Sequence, residues 1–156
     1  MQESKPASGN IVTIRCKLLE DVVLVPQHVT IASKYLTEKL KKGSSMRISQ
    51  ISGNTMRKVA KWMIYHHDKK KRLLPKPIPS DISFSEIVGE WDGAFIGENT
   101  LLQLIELTNA ADFLKIKELQ NLCCSKIAQV ATNLFANNPQ EFLQYFGSQE
   151  TLSIEL

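Results

Sequence analysis

The spacing of apolar residues changes along this chain, and the change limits the folds that it can adopt. Residues 11–18 alternate between apolar and polar side chains, a period of two that predicts a half-buried β-strand. The apolar face of that strand would hold Val12, Ile14, Cys16 and Leu18. After Pro26 the period lengthens to between three and four, which is typical of helices packed on one side. The order of these two periods predicts an α+β fold, with a small sheet followed by packed helices.

A β-hairpin followed by a helix is predicted for the first forty residues. Glu20 and Asp21 turn the chain between the first strand and a second apolar run at residues 22–25. Pro26 then opens a helix that runs to residue 40, because the first N–H of a helix is unpaired and proline has none to lose. Residues 1–10, which are small and polar, are expected to be a disordered tail.

A short strand, a long helix and a connector follow. Residues 46–49 predict a strand, and residues 54–68 predict a helix with one buried stripe. The stripe consists of Met56, Val59, Ala60 and Met63. Beyond it the chain turns basic at residues 69–72, and three prolines favour an extended connector. The prolines are Pro75, Pro77 and Pro79.

The last third of the chain is predicted to be helical. Thr100 and Gln103 have the spacing of a capping box, in which each side chain pairs an otherwise free backbone N–H. A second helix is predicted over residues 115–131. Asn138 then caps a short helix that ends near Phe146, with Gly147 as its left-handed cap.

No arrangement of residues typical of catalysis is found. The chain has seven glycines, and none falls in a phosphate-binding loop spacing. No signature of a serine hydrolase, a zinc protease or a deaminase is present. We therefore expect a protein that is not an enzyme and that uses no cofactor.

Four features have a chemical interpretation beside a structural one. His66-His67 could bind a metal, but adjacent helical residues point about 100° apart, so a role at the helix end is favoured. Cys123-Cys124 could be a redox pair, but vicinal disulfides are strained, and reduced thiols on different sides of a helix are favoured.

Residues 69–72 could bind phosphate or direct nuclear import, and are more simply a solvated loop. Trp62 and Trp91 are interpreted as packing anchors rather than base-stacking platforms.

The charge and the first residues bear on where such a protein works. A net charge of +3 is small for a dedicated nucleic-acid binder. The amino terminus lacks the apolar stretch of a signal peptide, and no apolar run approaches the length of a membrane span. We therefore expect a soluble protein of the cytoplasm and nucleus, with no membrane or nucleic acid among its partners.

Three segments resemble the Skp family of adaptors (S-phase kinase-associated protein one-like). Residues 59–68 (VAKWMIYHHD) are similar to the family's helix with a Trp-Cys-x-His-His-like segment, and residues 91–96 (WDGAFI) to its Trp-Asp-x-x-Phe-Leu element. Residues 104–119 (LIELTNAADFLKIKEL) resemble the family's Leu-Phe-Glu-Leu, Ala-Ala-Asn-Tyr-Leu and Ile-Lys-x-Leu motifs without a gap. The resemblance covers residues 11–147.

This resemblance implies an architecture and a role. Family members place a BTB/POZ fold before a helical extension and join an F-box-type substrate receptor to a cullin scaffold in a ubiquitin ligase. The implied division is a tail at 1–10, a BTB/POZ-like core at 11–80, a variable connector at 81–99 and a helical extension for dimerisation and F-box binding at 100–156. The chain could also form a homo-oligomer when unpartnered.

The resemblance also implies contact residues. Asp112 and Phe113 occupy the Asn-Tyr pair that is associated with cullin contact. The residues expected to meet the F-box are Ile105, Ile116, Leu119, Gln120, Cys123, Cys124, Ile127, Val130, Phe142 and Phe146. Asp112 departs from the family by adding a charge at a contact position, and the chain is more basic than typical members.

Two other functions stay open. A BTB-type structural or oligomerisation protein outside ubiquitin ligases fits the same fold. A basic nucleic-acid module that uses residues 69–72 would bind DNA or RNA in a salt-dependent manner.

Overall fold

A three-stranded sheet begins the structure. The computed structural model describes residues 10–18, 21–40, 44–69, 74 and 82–146. The strands are β1 (Ile11–Arg15), β2 (Val22–Pro26) and β3 (Ser45–Arg47), in the order β2-β1-β3. β1 pairs with β2 in antiparallel register and with β3 in parallel register. Together with the helices below, the sheet makes the protein an α+β fold, as predicted.

The predicted hairpin is confirmed, but its first strand is shorter than expected. Ile14 lies opposite Val23, and the inward side chains of Val12, Ile14 and Cys16 are buried. Leu18, which was predicted on the same face, is 61% exposed. The strand ends at Arg15 because the chain turns there, with the Cys16 N–H donating to the Asp21 carbonyl at 2.9 Å.

The helix predicted over residues 27–40 is divided in two. A 3-10 helix (Gln27–Ala32) precedes α1 (Lys34–Lys39), and Ser33 separates them in an extended conformation. The buried Ser33 hydroxyl accepts the Leu36 N–H at 3.0 Å and donates to the Leu114 carbonyl at 2.6 Å. Ser33 therefore caps α1 and joins it to a helix 81 residues further along the chain.

The long helix of the first half forms as predicted. It is α2 (Gly53–His66), and the Ser52 hydroxyl caps it by accepting the Thr55 N–H at 3.3 Å. The predicted stripe faces inward, since Met56, Val59, Ala60 and Met63 are all buried. Trp62 is buried beside them, which confirms its role as a packing anchor.

Two helices lie in the range predicted as a connector. They are α3 (Phe84–Val88) and α4 (Glu90–Gly97), and they meet at Gly89. Gly89 has φ 103°, a left-handed conformation that costs other residues steric strain. A Cβ on Gly93 would lie 2.8 Å from the Ser85 Cα, so glycine lets the two helices approach closely.

Three further helices follow in the described part of the chain. They are α5 (Leu101–Leu114), α6 (Lys117–Asn137) and α7 (Pro139–Phe146). The predicted capping box is present at the start of α5, with Thr100 and Gln103 each pairing the other's backbone N–H. Lys115 is left-handed with φ 59°, so α6 begins two residues later than predicted.

The predicted start of α7 is also confirmed. The Asn138 Oδ1 accepts the Glu141 N–H at 3.2 Å. Gly147, predicted as the cap at its other end, lies outside the described residues, as do residues 1–9 and 147–156.

Buried side chains from the sheet, α2, α3, α4, α5 and the start of α6 form one hydrophobic core. In α6 the buried residues are Leu119, Leu122 and Cys123, all within its first seven positions. In the rest of α6 no side chain is fully buried; Ile127 packs partly against the core, and α7 packs against this part of the helix. Among the described residues, no helix combines the length and apolarity needed to cross a membrane.

Candidate interaction surfaces

A cleft at the carboxyl-terminal half of α5 contains both residues predicted to contact a cullin. We call it the α5 cleft, and its volume is about 420 Å³. Asp112 is exposed at its edge and accepts a hydrogen bond from the Gln120 side chain at 3.3 Å. Phe113 is half-buried, with its ring 4.7 Å from that of Tyr35. The cleft is lined by Lys17, Gln50, Ile51, Ser52, Thr55, Glu106, Asn109, Ala110, Asp112 and Phe113.

The α5 cleft is lined by apolar and polar side chains, three of which are charged. Its acidic side chains are Glu106 and Asp112, and its basic side chain is Lys17. Within the part of the chain that the structure describes, none of the three makes an ion pair. These charges are therefore available to a partner. Because the three groups are exposed, they keep their hydration until a partner contacts them.

A second surface is formed by residues 124–137 of α6 together with α7, and we call it the distal surface. No side chain between Cys124 and Asn137 is fully buried. Phe135 is 64% exposed and Leu143 is 59% exposed. The ring of Phe135 lies 5.2 Å from that of Phe142 in an edge-on arrangement, which joins α6 to α7. Large exposed apolar side chains close together are typical of an interaction site.

The ten residues predicted to meet an F-box are placed at different depths. Ile105 and Cys124 are exposed, and the half-buried ones are Gln120, Ile127, Val130 and Phe142. Ile116, Leu119 and Cys123 lie inside the core, which differs from the expectation that they line a binding surface. The side chain of Phe146 lies outside those that the structure describes. The contact role of all ten stays a prediction.

The two neighbouring cysteines lie on different sides of α6, as predicted. Cys123 is buried, and burial raises the pKa of its thiol to about 12 against an ordinary 9.0. Cys124 is exposed next to it, on the distal surface. Burial, and then the nearby Asp21 carboxylate, raise the pKa of the Cys16 thiol. The deprotonated thiolate is the reactive form, so Cys16 and Cys123 are chemically quiet in the folded protein.

The histidines at the end of α2 serve packing. The His66 Nε2 lies 2.8 Å from the Asp92 carboxylate and ties α2 to α4. The His67 ring meets that of His28 edge-on at 4.7 Å. Across residues 10–18, 21–40, 44–69, 74 and 82–146, no group of three His, Cys, Asp or Glu side chains could hold a metal ion. Most of the basic run at residues 69–72 lies outside that range.

A groove beside β2 was not predicted from the sequence. We call it the β2 groove; it lies between β2 and α2 and has a volume of about 550 Å³. Leu24 is 62% exposed and Ile64 is 50% exposed on its two sides. The rings of Tyr65 and Trp91 stack at 3.9 Å at its end. One feature of the sequence could have indicated the groove. The run at residues 22–25 is apolar throughout, whereas a strand with one solvated face alternates apolar and polar residues.

The fold and these surfaces define a class: an α+β protein with a three-stranded sheet, packed helices and apolar surfaces available to other proteins. No family model matches the chain. A stretch of 99 residues, 64% of the chain, is 29% identical to the S-phase kinase-associated protein 1 homolog of Tetrahymena thermophila. The match covers 57% of that protein, so the chain spans less than two thirds of its length. The chain is thus similar to a Skp-family protein over most of its own length.

Proposed function

We propose that this protein is a non-enzymatic adaptor that joins an F-box-type substrate receptor to a cullin scaffold in a ubiquitin ligase. The similarity to the Tetrahymena protein and the order of the sequence motifs both support the proposal. Such an adaptor performs no chemistry. It raises the rate of ubiquitin transfer by holding the substrate close to a ubiquitin-loaded enzyme. We propose that it acts in the cytoplasm and nucleus.

The observation that carries the proposal is the position of the distal surface. The 14 residues of α6 after Cys123 bury no side chain completely, and Ile127 packs only partly against the core. Isolated helices of that length are only marginally stable in water. The partly exposed apolar side chains of this helix pair are therefore suited to packing against helices of a receptor. Ile127 and Val130 would contact the receptor from α6, and Phe142 from α7.

The cullin would dock at the α5 cleft. Phe113 provides an aromatic surface that is partly exposed, and Asp112 stands beside it with no cationic partner in the described structure. A helix of the scaffold would place an apolar side chain in the cleft. Asp112 is exposed, so its charge costs little in the free protein and calls for a cation or a donor on the partner.

A second candidate is a structural protein that pairs with copies of itself through the distal surface. Phe135 and Leu143 support it, because a monomer leaves both of these large apolar side chains in water. Sedimentation separates the two candidates. A stable homo-oligomer that does not dissociate when F-box peptides are added supports the second and contradicts the first.

The adaptor role is tested by co-expression of the full chain with an F-box peptide and a cullin amino-terminal domain, followed by size exclusion. We expect a ternary complex. Val130→Glu places a charge on the distal surface, so it should release the F-box peptide and keep the cullin domain. Asp112→Arg reverses the charge at the α5 cleft, so it should release the cullin domain and keep the peptide.

Ile31→Glu is the matched control, because Ile31 is an exposed apolar residue that lies on neither surface. It should keep both partners. The adaptor role is contradicted if neither partner co-elutes with the unmodified chain, or if the three variants behave alike while melting at the same temperature.

A further inference from the structure

β2 lies at the edge of the described sheet, and one row of its backbone groups has no partner among the described residues. Its only described neighbour is β1. The Cys16 N–H bonds the Asp21 carbonyl, and the Gln27 N–H bonds the Asn10 carbonyl. Hydrogen-bonded pairs alternate in an antiparallel ladder, so the odd-numbered residues of β2 face β1. The N–H and C=O groups of Val22 and Leu24 therefore face outward, where a further strand can pair with them.

Pro26 lies at a position of β2 where a missing N–H costs no hydrogen bond to β1. It is the next even-numbered residue of β2, and its missing N–H would also have pointed away from β1. The ladder to β1 thus continues to Gln27 without a lost bond. Pro26 also limits the open edge, because a strand added there finds no donor beyond Leu24.

The β2 groove runs along this open edge and presents apolar side chains to it. Val22, Val23 and Leu24 form one wall, and Ala60 and Ile64 of α2 form the other. An added strand would place alternate side chains toward Leu24 and Ile64, which are both at least half exposed in the free protein. The groove therefore offers backbone pairing and apolar contact at the same place, the combination by which sheet edges capture extended peptides.

The charged residues that line the groove are both basic. The Arg57 guanidinium is 3.1 Å from the Asp21 carboxylate, and the Lys61 ammonium is 3.6 Å from that of Glu98. Both pairs are partly exposed, and such pairs contribute little to stability. Arg57 and Lys61 can therefore exchange these partners for carboxylates of a bound peptide at small cost.

We propose that the β2 groove binds an extended, acidic segment of another protein as an additional strand of the sheet. The segment has apolar residues at alternate positions, which fill the groove beside Leu24 and Ile64. One or more Asp or Glu residues of the segment pair with Arg57 and Lys61. The site is separate from the α5 cleft and the distal surface, so it does not depend on the proposed adaptor role.

Charge argues against a second copy of this chain as the occupant. Two β2 edges paired about a two-fold axis would bring two copies of Arg57 and Lys61 to one interface. In such a pairing Arg57 and Lys61 gain no new counter-charge, because the Asp21 and Glu98 carboxylates of each copy are already paired with them. An acidic segment instead gains from the same residues.

The test is selection of random twelve-residue peptides displayed on phage against the full chain, with counter-selection on the Leu24→Pro variant. That substitution removes the outward N–H of Leu24 and leaves the ladder to β1 unchanged. We expect surviving peptides with alternating apolar residues and at least one acidic residue. If no peptide distinguishes the unmodified chain from Leu24→Pro, the proposal is wrong.

A selected peptide is then used to locate the site. Amide exchange at Val22 and Leu24 should slow at least tenfold when the peptide binds, while Val23 and Val25 should change little because β1 already protects them. Protection at α5 or α7 instead would overturn the proposal. So would protection at Val22 and Leu24 that appears without peptide as concentration rises, because a second copy would then be the occupant.

Substitution of charge provides a readout that does not depend on Leu24→Pro folding well. The double variant Arg57→Glu, Lys61→Glu should bind the selected peptide at least tenfold more weakly. Ile31→Glu, an exposed change away from the groove, should bind it like the unmodified chain. Equal binding by the two variants would contradict the assignment.

Discussion

The two halves of α6 differ in what their side chains contact, although they belong to one continuous helix. In the first half, Leu119, Leu122 and Cys123 are buried against α5 and the sheet core. In the second half, Ile127 packs partly against the core, Val130 is half-buried and Phe135 is largely exposed, and α7 packs against this half. The first half therefore contributes to the stability of the fold. The second presents apolar surface that a partner would cover.

The largest expected contrast between the two regions is in the cost of removing a leucine side chain. Leu107 on α5 is fully buried, so Leu107→Ala should lower the free energy of unfolding by about 2–5 kcal/mol. Leu143 on α7 is mostly exposed, so Leu143→Ala should change it by less than about 0.5 kcal/mol. Urea denaturation measures both. Equal losses would show that the distal surface belongs to the core.

The buried hydroxyl of Ser33 offers a second test of the core region. Ser33→Ala removes the cap of α1 and leaves the Leu114 carbonyl without its partner, at a cost of about 1–3 kcal/mol. Thr37→Ala, on the exposed side of α1, is the matched control and should cost clearly less. A similar loss in both variants would mean that the Ser33 bond does not hold α1 to α5.

Cys123 and Cys124 lie on the boundary between the two regions. The folded-state pKa of Cys123, about 12, is above its ordinary value of 9.0, so the folded protein keeps a proton that the unfolded chain loses. Stability should therefore be complete below pH 9 and fall above it, with a slope of up to about 1.4 kcal/mol per pH unit. Cys123→Ala should show a shallower fall in urea denaturation measured from pH 8 to pH 10.5.

Thiol labelling checks the same boundary independently. In the native protein a thiol reagent should modify Cys124 alone, and Cys16 and Cys123 should react only after unfolding, since both are buried. Fast labelling of Cys123 without denaturant would place it outside the core.

The smallest expected contrast is between two helix caps. Thr100→Ala removes the capping box of α5 and should lower global stability by about 1 kcal/mol. Asn138→Ala removes the cap of α7. It should leave the global unfolding transition unchanged and only speed amide exchange within α7. The reason is that α7 packs mainly against α6. A lower unfolding midpoint for Asn138→Ala would show that α7 unfolds together with the core.

Local signals predicted much of the fold. The hairpin, α2 and the caps of α5 and α7 were predicted because each depends on residues close in sequence. The division of the first predicted helix at Ser33 was missed, since it depends on a bond to Leu114. α3 and α4 were also missed, because helices this short have no clear period of their own.

The residues assigned to the candidate site lie at different depths, and their contact role stays a prediction. Leu119, Cys123, Ile127 and Val130 were all assigned to a receptor through the resemblance to the Skp family. The structure buries the first two in the core and leaves the last two at the surface. A stripe of apolar residues has the same spacing whether it meets the protein's own core or another chain, so sequence alone does not separate these roles.

By itself the sequence determined the hairpin, α2, the caps that begin α5 and α7, and the separation of Cys123 from Cys124. These follow from side-chain periodicity and from hydrogen bonds a few residues apart. Only the tertiary structure decided where α6 leaves the core, that β2 is an edge strand and that Leu24 and Ile64 share a groove. Such features depend on which distant elements compete for the same apolar surface, and that competition is resolved only by packing.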